Sequence, residues 1–258
     1  MSAAPPSLTL TALRELPEVL PGSDLAALLA QALTHAGLQL IASDVLVVAQ
    51  KVVSKAEGRH VRLADVVPGA RARELAGVTG KDARLIELIL AESTEVLRAQ
   101  RGLLIVRHRL GLVMANAGID RSNVGAPGAD ERVLLLPQDP ERSAAALRAT
   151  LAQRLGVACG LIISDSFGRP WRKGVVNVAI AAAGVTALLD RRGEADRAGR
   201  ALEVTEVALA DALAAAAGLV LGEAAEGTPA VLVRGFSCPA PPNPASALIR
   251  PLAEDLFR

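Results

Sequence analysis

The stretch Leu161-Ile162-Ile163-Ser164-Asp165-Ser166-Phe167-Gly168-Arg169-Pro170-Trp171-Arg172 gathers several reactive groups in a short space. Its apolar start reads as a buried strand, and the polar remainder reads as a loop at that strand's end. Asp165 and Ser166 supply hard oxygen donors of the kind Mg²⁺ or Mn²⁺ prefers. Arg169 and Arg172 supply planar guanidinium forks suited to phosphate or carboxylate, and Trp171, the only Trp, lies between them. A metal-type acid beside phosphate-type cations points to phosphoryl chemistry.

Two further polar segments follow apolar strands. Residues 50–59 contain Gln50, Lys51, Lys55, Glu57 and Arg59; taken alone they also fit a solvated charged turn. Residues 116–125 contain Asp120 and Asn123, which also fit a turn with unusual backbone angles. Taken together, two acids at strand ends, lysines and two arginines are what a metal-bridged triphosphate requires. The cations neutralise phosphate charge and the carboxylates hold the metal.

Other chemistries are poorly supported. Gly77-Val78-Thr79-Gly80-Lys81 has glycine spacing too short for a phosphate loop, and Asp82 stands where Ser or Thr belongs, so it reads as a turn before a helix. Cys159 and Cys238 have no metal-site spacing, and Cys159 reads as a small buried thiol. His35, His60 and His108 are far apart, and no nucleophile-elbow pattern accompanies them. The formal charge of +1 argues against a general nucleic-acid binder, so electrostatic preferences must be local. Residues 25–43 lack Asp, Glu, Lys and Arg but are interrupted by Gln31, Thr34, His35 and Gln39. They therefore fall short of the ~20 apolar residues of a spanning helix. No basic-then-apolar leader opens the sequence, which makes a cytoplasmic setting the plain expectation.

The elements that must position these groups follow from periodicity. Leu8 to Leu13 alternates as a half-buried strand, and a helix capped by Ser23 or Asp24 runs from Leu25 toward His35. Asp44 to Ala49 is a buried-type strand. A helix is expected from about Asp82 to Arg98, and strands on either side of a hairpin tip at Arg107-His108-Arg109. Asp139-Pro140 opens a helix that Gly156 stops near Leu155. Thr205 to Val220 reads as a helix and Pro229 to Val233 as a last strand. Residues 238–244 hold four prolines and read as an arm rather than a core element. Strands and helices are mixed without strict alternation, so the expected class is α+β with mixed sheets. With 51% hydrophobic residues but only 2% aromatic, the core must be built mainly from Ala, Val, Leu and Ile.

Several of these segments resemble the coenzyme F-420-0:L-glutamate ligases. They are Leu16-Pro17-Glu18, Lys51-Val52-Val53-Ser54-Lys55-Ala56-Glu57-Gly58-Arg59, Gly118-Ile119-Asp120-Arg121-Ser122-Asn123-Val124 and Asp165-Ser166-Phe167-Gly168-Arg169-Pro170-Trp171-Arg172. Leu136-Pro137-Gln138-Asp139-Pro140, Glu203-Val204-Thr205-Glu206-Val207-Ala208 and Val233-Arg234-Gly235-Phe236 add to the likeness, which covers nearly the whole chain in order. It is a likeness to the ligase part alone, without the C-terminal flavin-binding domain that some relatives carry.

The resemblance implies one ligase unit over residues 1–258, as a single body or two interleaved lobes, with residues 239–258 as a Pro-rich arm. It implies addition of one or more γ-linked L-glutamates to F-420-0, a deazaflavin coenzyme precursor, using GTP and Mg²⁺ or Mn²⁺ at two sites, with K⁺ also implied. A homodimer is expected, with no nucleic-acid or membrane partner. By position, Leu16, Pro17, Glu18, Val19, Gln50, Lys51, Lys55 and Asn123 would contact GTP. Asp120 and Asp165 would bind one divalent metal and Ser166 a second. Gln50 departs from the Ser often found in relatives, which puts that contact in doubt. The implied chemistry is carboxylate activation through an acyl phosphate, with Lys55 as a point charge. Arg169 and Arg172 are candidate clamps for the acyl phosphate or the incoming glutamate. Competing readings are another nucleotide- and metal-dependent carboxylate ligase or kinase on the same scaffold, and a non-catalytic nucleotide sensor.

Overall fold

Two runs, Val45-Leu46-Val47-Val48 and Leu161-Ile162-Ile163, are hydrophobic at every position, which suits strands covered on both faces. The computed structural model describes residues 6–14, 16–121 and 131–255, and there these runs are β2 (Val45–Ala49) and β8 (Gly160–Arg169). They pair in parallel, from Val45 with Gly160 to Ala49 with Ser164. Strands β1 (Thr9–Leu13), β12 (Ala230–Arg234) and β9 (Arg172–Ala183) complete a sheet in the order β1-β12-β2-β8-β9. Its other pairings are antiparallel.

Helices α1 (Leu25–His35) and α5 (Pro140–Leu155) cover one face, where Leu29, Leu33 and Leu151 pack on Leu46, Val48, Leu161 and Ile163. Helix α6 (Leu209–Leu221) covers the other, setting Leu213, Ala214 and Ala217 on Val45, Val47 and Ile162. Its many alanines let it lie close to the sheet, the outcome a core poor in aromatics requires. Asp24 caps α1 by accepting from the Ala27 N–H (3.0 Å), and Asp139 caps α5 by accepting from the Arg142 N–H (3.0 Å). Gly156 ends α5 in the left-handed conformation (φ 72°), as the sequence predicts.

A third hydrophobic cluster, built on Leu75, Leu85, Ile86, Ile89, Leu104 and Val106, lies apart from the two on the large sheet. It is formed by α3 (Ala70–Thr79), α4 (Ala83–Ala91) and the antiparallel sheet β4 (Ser93–Gln100), β5 (Leu103–His108) and β6 (Val113–Ala115). Strands β3 (His60–Arg62) and β7 (Arg132–Leu134) pair beside it. A small ribbon, β10 (Leu188–Asp190) with β11 (Glu206–Ala208), completes an α+β architecture. Among the described residues no helix is long and apolar enough to cross a membrane.

Several expectations need correction. Residues 50–56 are a helix, α2 (Gln50–Ala56), not a loop; Gln50, Val53 and Ser54 turn inward at helical spacing that so short a mixed run conceals. The helix expected from Asp82 to Arg98 ends at Ala91, and Ser93 opens β4, held by its pairing with β5. The expected hairpin tip at 107–109 lies further on, because β5 runs through a fully buried His108. The helix expected from Thr205 begins at Leu209, after the β11 strand. Helix α3 has no counterpart in the periodicity reading. Most consequentially, residues 164–169 are not a loop: β8 continues past the core through Arg169 and returns as β9, forming a long hairpin. Exposure rises along β8, from buried Ser164 to exposed Gly168 and Arg169, so the outer polar residues meet solvent while the inner ones stay enclosed. The proline-rich arm is anchored, with Asn243 accepting from the Ala187 and Leu188 N–H groups (2.9 Å each) and Ala245 buried.

Candidate active site

A cavity of about 330 Å³ opens at the carboxyl ends of the parallel strands β2 and β8. Several chain segments converge on it. The stretch after β1 brings Leu16, Pro17, Glu18 and Val19, and α2 brings Gln50, Lys51 and Lys55. Asp120 arrives from the turn after β6, and Ser164, Asp165 and Ser166 from β8. Every candidate nucleotide or metal residue within the described chain is thereby gathered in one place. Asn123 lies outside the described residues.

Backbone geometry fixes Asp120. Asn116 and Ala117 both take left-handed backbone angles (φ 53°), which is costly for residues other than glycine. Gly118 follows at φ 66°, where an added Cβ would come within 2.8 Å of Met114 Cε. This tight turn ends with Asp120 pairing to Leu134, each N–H donating to the other's carbonyl at 2.9 Å. Its carboxylate then receives Lys51 Nζ at 2.5 Å, joining α2 to the turn.

Burial pushes the Asp165 carboxyl up to about 7, and the negative charges of Asp120 and Glu223 push the same way. The Ser166 N–H, donating to Asp165 Oδ1 at 2.9 Å, and the charge of Lys51 oppose the shift without cancelling it. The donors here are all oxygens, from Asp120, Asp165 and Ser166, which suits Mg²⁺ or Mn²⁺ rather than zinc. A carboxyl whose proton affinity is raised by burial and by a neighbouring carboxylate is a setting in which a divalent cation would offset unfavourable charge. Among the described residues no set of three or more His, Cys, Asp or Glu forms a closed metal cage. Mg²⁺ commonly takes one or two carboxylates and completes its sphere with water and substrate phosphates, so the open set fits that ion.

Other cavity residues escape the sequence reading. The Asn177 side-chain amide donates to Glu223 Oε1 (2.8 Å), and Ser164 Oγ lies 3.4 Å from Asn177 Oδ1. Asn177 has room because residue 218 of α6 is glycine; a Cβ there would fall 2.6 Å from Asn177 Nδ2. Glu223, Glu226 and Thr228 line the cavity from the loop between α6 and β12. The available signal was an acidic, glycine-rich loop at the end of an apolar helix, the same polar-after-apolar pattern that located the other segments. Arg169 and Arg172, by contrast, do not line this cavity. They face each other across the exposed hairpin tip, where Trp171 takes φ 63°.

Comparison with known proteins adds to this geometry. The family model described as F420-0:Gamma-glutamyl ligase matches residues 14–235. The chain is 47% identical over 245 residues to "Coenzyme F420:L-glutamate ligase" of Methanopyrus kandleri, covering 93% of this chain and 94% of that protein. A protein of the same name from Methanothermobacter thermautotrophicus is 43% identical over 253 residues, covering 97% and 99% respectively. Another from Halobacterium salinarum is 47% identical over 227 residues, covering 86% and 84%.

Proposed function

The chain belongs to the F420-0:Gamma-glutamyl ligase family, and from that premise we propose that it is a ligase joining one or more L-glutamates to F-420-0 at the expense of GTP. The observation that carries this reading is the convergence of Lys51, Lys55, Asp120, Asp165 and Ser166 on one cavity. That set suits a polyphosphate bridged by a hard cation.

In the proposed reaction the terminal carboxylate of F-420-0 attacks the γ-phosphorus of GTP. The new bond joins carboxylate oxygen to phosphorus, the bond to the oxygen bridging the β-phosphate breaks, and GDP leaves. The glutamate amine, having lost its proton, then attacks the acyl carbon, forming the amide and releasing phosphate. Leu16, Pro17, Glu18, Val19 and Gln50 shape the nucleotide wall, and Asn123 is a further proposed GTP contact. Lys51 and Lys55 place positive charge beside the transferring phosphoryl group. Asp120, Asp165 and Ser166 would hold Mg²⁺ or Mn²⁺, which supplies charge neutralisation on the phosphates. Arg169 and Arg172 act as anion clamps only if another part of the assembly brings them to the site. A homodimer in the cytoplasm, with K⁺ as an accessory ion, belongs to the same proposal.

The test is a mass-resolved assay with F-420-0, L-glutamate, GTP and Mn²⁺, beside an Asp165→Asn control. The expected product is heavier by one or more glutamyl units and absent in the control. Metal-dependent GTP hydrolysis without glutamylation would move the acceptor to another carboxylate. Absence of both activities would end the catalytic reading.

A further inference from the structure

A second and larger cavity, about 740 Å³, borders the same hairpin and takes no part in the site described above. Successive strand residues point to opposite faces. Ser166 and Asn177, paired across the hairpin, line the first cavity, while their neighbours Phe167 and Val178 line the second. The other walls come from the small sheet, through Leu97, Leu112 and Val113, and from the C-terminal arm, through Leu248 and Ile249. The arm is seated closely on the turn before β6, since a Cβ on Gly111 would come within 3.1 Å of Ile249.

Within these apolar walls sits Arg107, whose side chain is only 12% exposed. Its Nε and Nη2 are fully buried and make no hydrogen bond among the described residues. The carboxylates of Glu95 and Asp255 balance its charge from 3.5 and 3.6 Å, beyond hydrogen-bonding geometry. Buried N–H groups without partners are costly; Arg107 also lines the cavity, so a modest turn of its guanidinium would bring them to an acceptor held there. Asp211 lines the same cavity; it accepts from the Ala179 N–H at 2.9 Å, and burial raises its proton affinity. The cavity therefore combines apolar walls, one aromatic face at Phe167, a forked donor and an acid. That is the chemistry of a planar heteroaromatic ring carrying carbonyl oxygens and a ring N–H.

We propose that the second cavity holds the fused-ring end of the carboxylate substrate, with Arg107 donating to its ring carbonyls and Phe167 covering its face. This rests on the ligase reading, in which the substrate has a deazaflavin ring at one end and the reacting carboxylate at the other. Strand β9 is the last strand of the large sheet among the described residues. Its outer part, beyond the Ala179 and Ala182 N–H groups held by Asp211 and Glu141, leaves an edge around which a flexible tail can pass from one cavity to the other. The ring is thereby anchored on one side of the hairpin while the carboxylate reaches Asp165 and Ser166 on the other.

Two variants test the assignment, with F-420-0 and GTP titrated separately. Arg107→Met removes the donors, and Val113→Trp fills the cavity from a rim position that is 44% exposed and tolerant of bulk. Each should raise the KM and Kd for F-420-0 by about tenfold or more while leaving those for GTP within about twofold, equivalent to losing one good polar contact or the packing of the ring. Retention of wild-type F-420-0 affinity by both variants, with turnover intact, would overturn the cavity assignment and leave the ligase reading standing. A wild-type protein that neither binds nor glutamylates F-420-0 would overturn both.

Discussion

Asp165 carries the sharpest conflict between stability and chemistry. Burial, reinforced by Asp120 and Glu223, holds its carboxyl near 7 when the ordinary value is 3.8. A raised acid works against folding in its charged form: the folded chain binds the proton more tightly than the unfolded chain does. Stability therefore falls as pH rises from about 4 and levels off above about 7, once both states are ionised. Asp165→Asn removes that charge and nearly preserves shape. In metal-free protein its melting temperature should exceed wild type by roughly 2–5 °C at pH 8, and the gap should close by pH 4. Thermal scans at the two pH values check this, and a lower melting temperature at pH 8 would contradict it. The same variant should lack metal-dependent turnover.

The helix carrying Lys51 and Lys55 is fixed at its far end by a partly buried polar cluster. Arg59, just past α2, donates from Nη2 to Glu92 Oε1 (2.9 Å) and from Nε to the Leu136 carbonyl (2.8 Å). Arg109 Nε adds a contact to Glu92 Oε2 at 3.1 Å. His108 Nδ1 accepts from the Leu110 N–H, leaving Nε2 to face Glu92 at 3.4 Å. Burial pushes Glu92 up, but the contact with His108 and the charges of Arg59 and Arg109 outweigh it, bringing the carboxyl down to about 2. A depressed acid stabilises the fold above its unfolded value of 4.5, and that contribution disappears as pH falls through about 2. Glu92→Gln should thus be less stable than wild type at pH 7, with the difference shrinking between pH 4.5 and 2 in denaturant titrations. None of this cluster was legible in the sequence, because its members come from four separate elements. Helix α5 was fully legible, since Asp139, Pro140 and Gly156 mark its ends by local rules. Helix α2 and the turn from α4 into β4 were not: both are short, and tertiary pairing overrides the local pattern. The residues of the site were easier to find than their backbone, because carboxylates and lysines after apolar strands stand out whether a helix or a loop presents them. Glu223 and Asn177 were missed for the converse reason, as only the α6–β9 contact brings them to Asp165.

At the scale of the molecule, the candidate active-site cavity joins two differently built bodies. Asp165 and Ser166 extend from the large sheet, whereas Asp120 is delivered by the turn leading from the small sheet and pairs with Leu134 of β7. The Lys51–Asp120 ion pair crosses between the parts, yet both of its side chains are a fifth or more exposed, so it contributes little by itself. A divalent cation held by Asp120 and Asp165, with a nucleotide completing its sphere, would tie the parts together and relieve the repulsion between the acids. Because such ligands bind only the folded chain, they must stabilise it by mass action, by about 2.7 kcal/mol at a hundredfold excess over Kd. Relative to protein stripped with EDTA, Mn²⁺ with GTP should raise the melting temperature by roughly 5–10 °C for a chain of this size. Asp120→Asn should lose most of that increment, because it removes an anchor on the small-sheet side. A full increment in Asp120→Asn would mean that nucleotide and metal are held by the large sheet alone, with Asp120 serving only to orient Lys51.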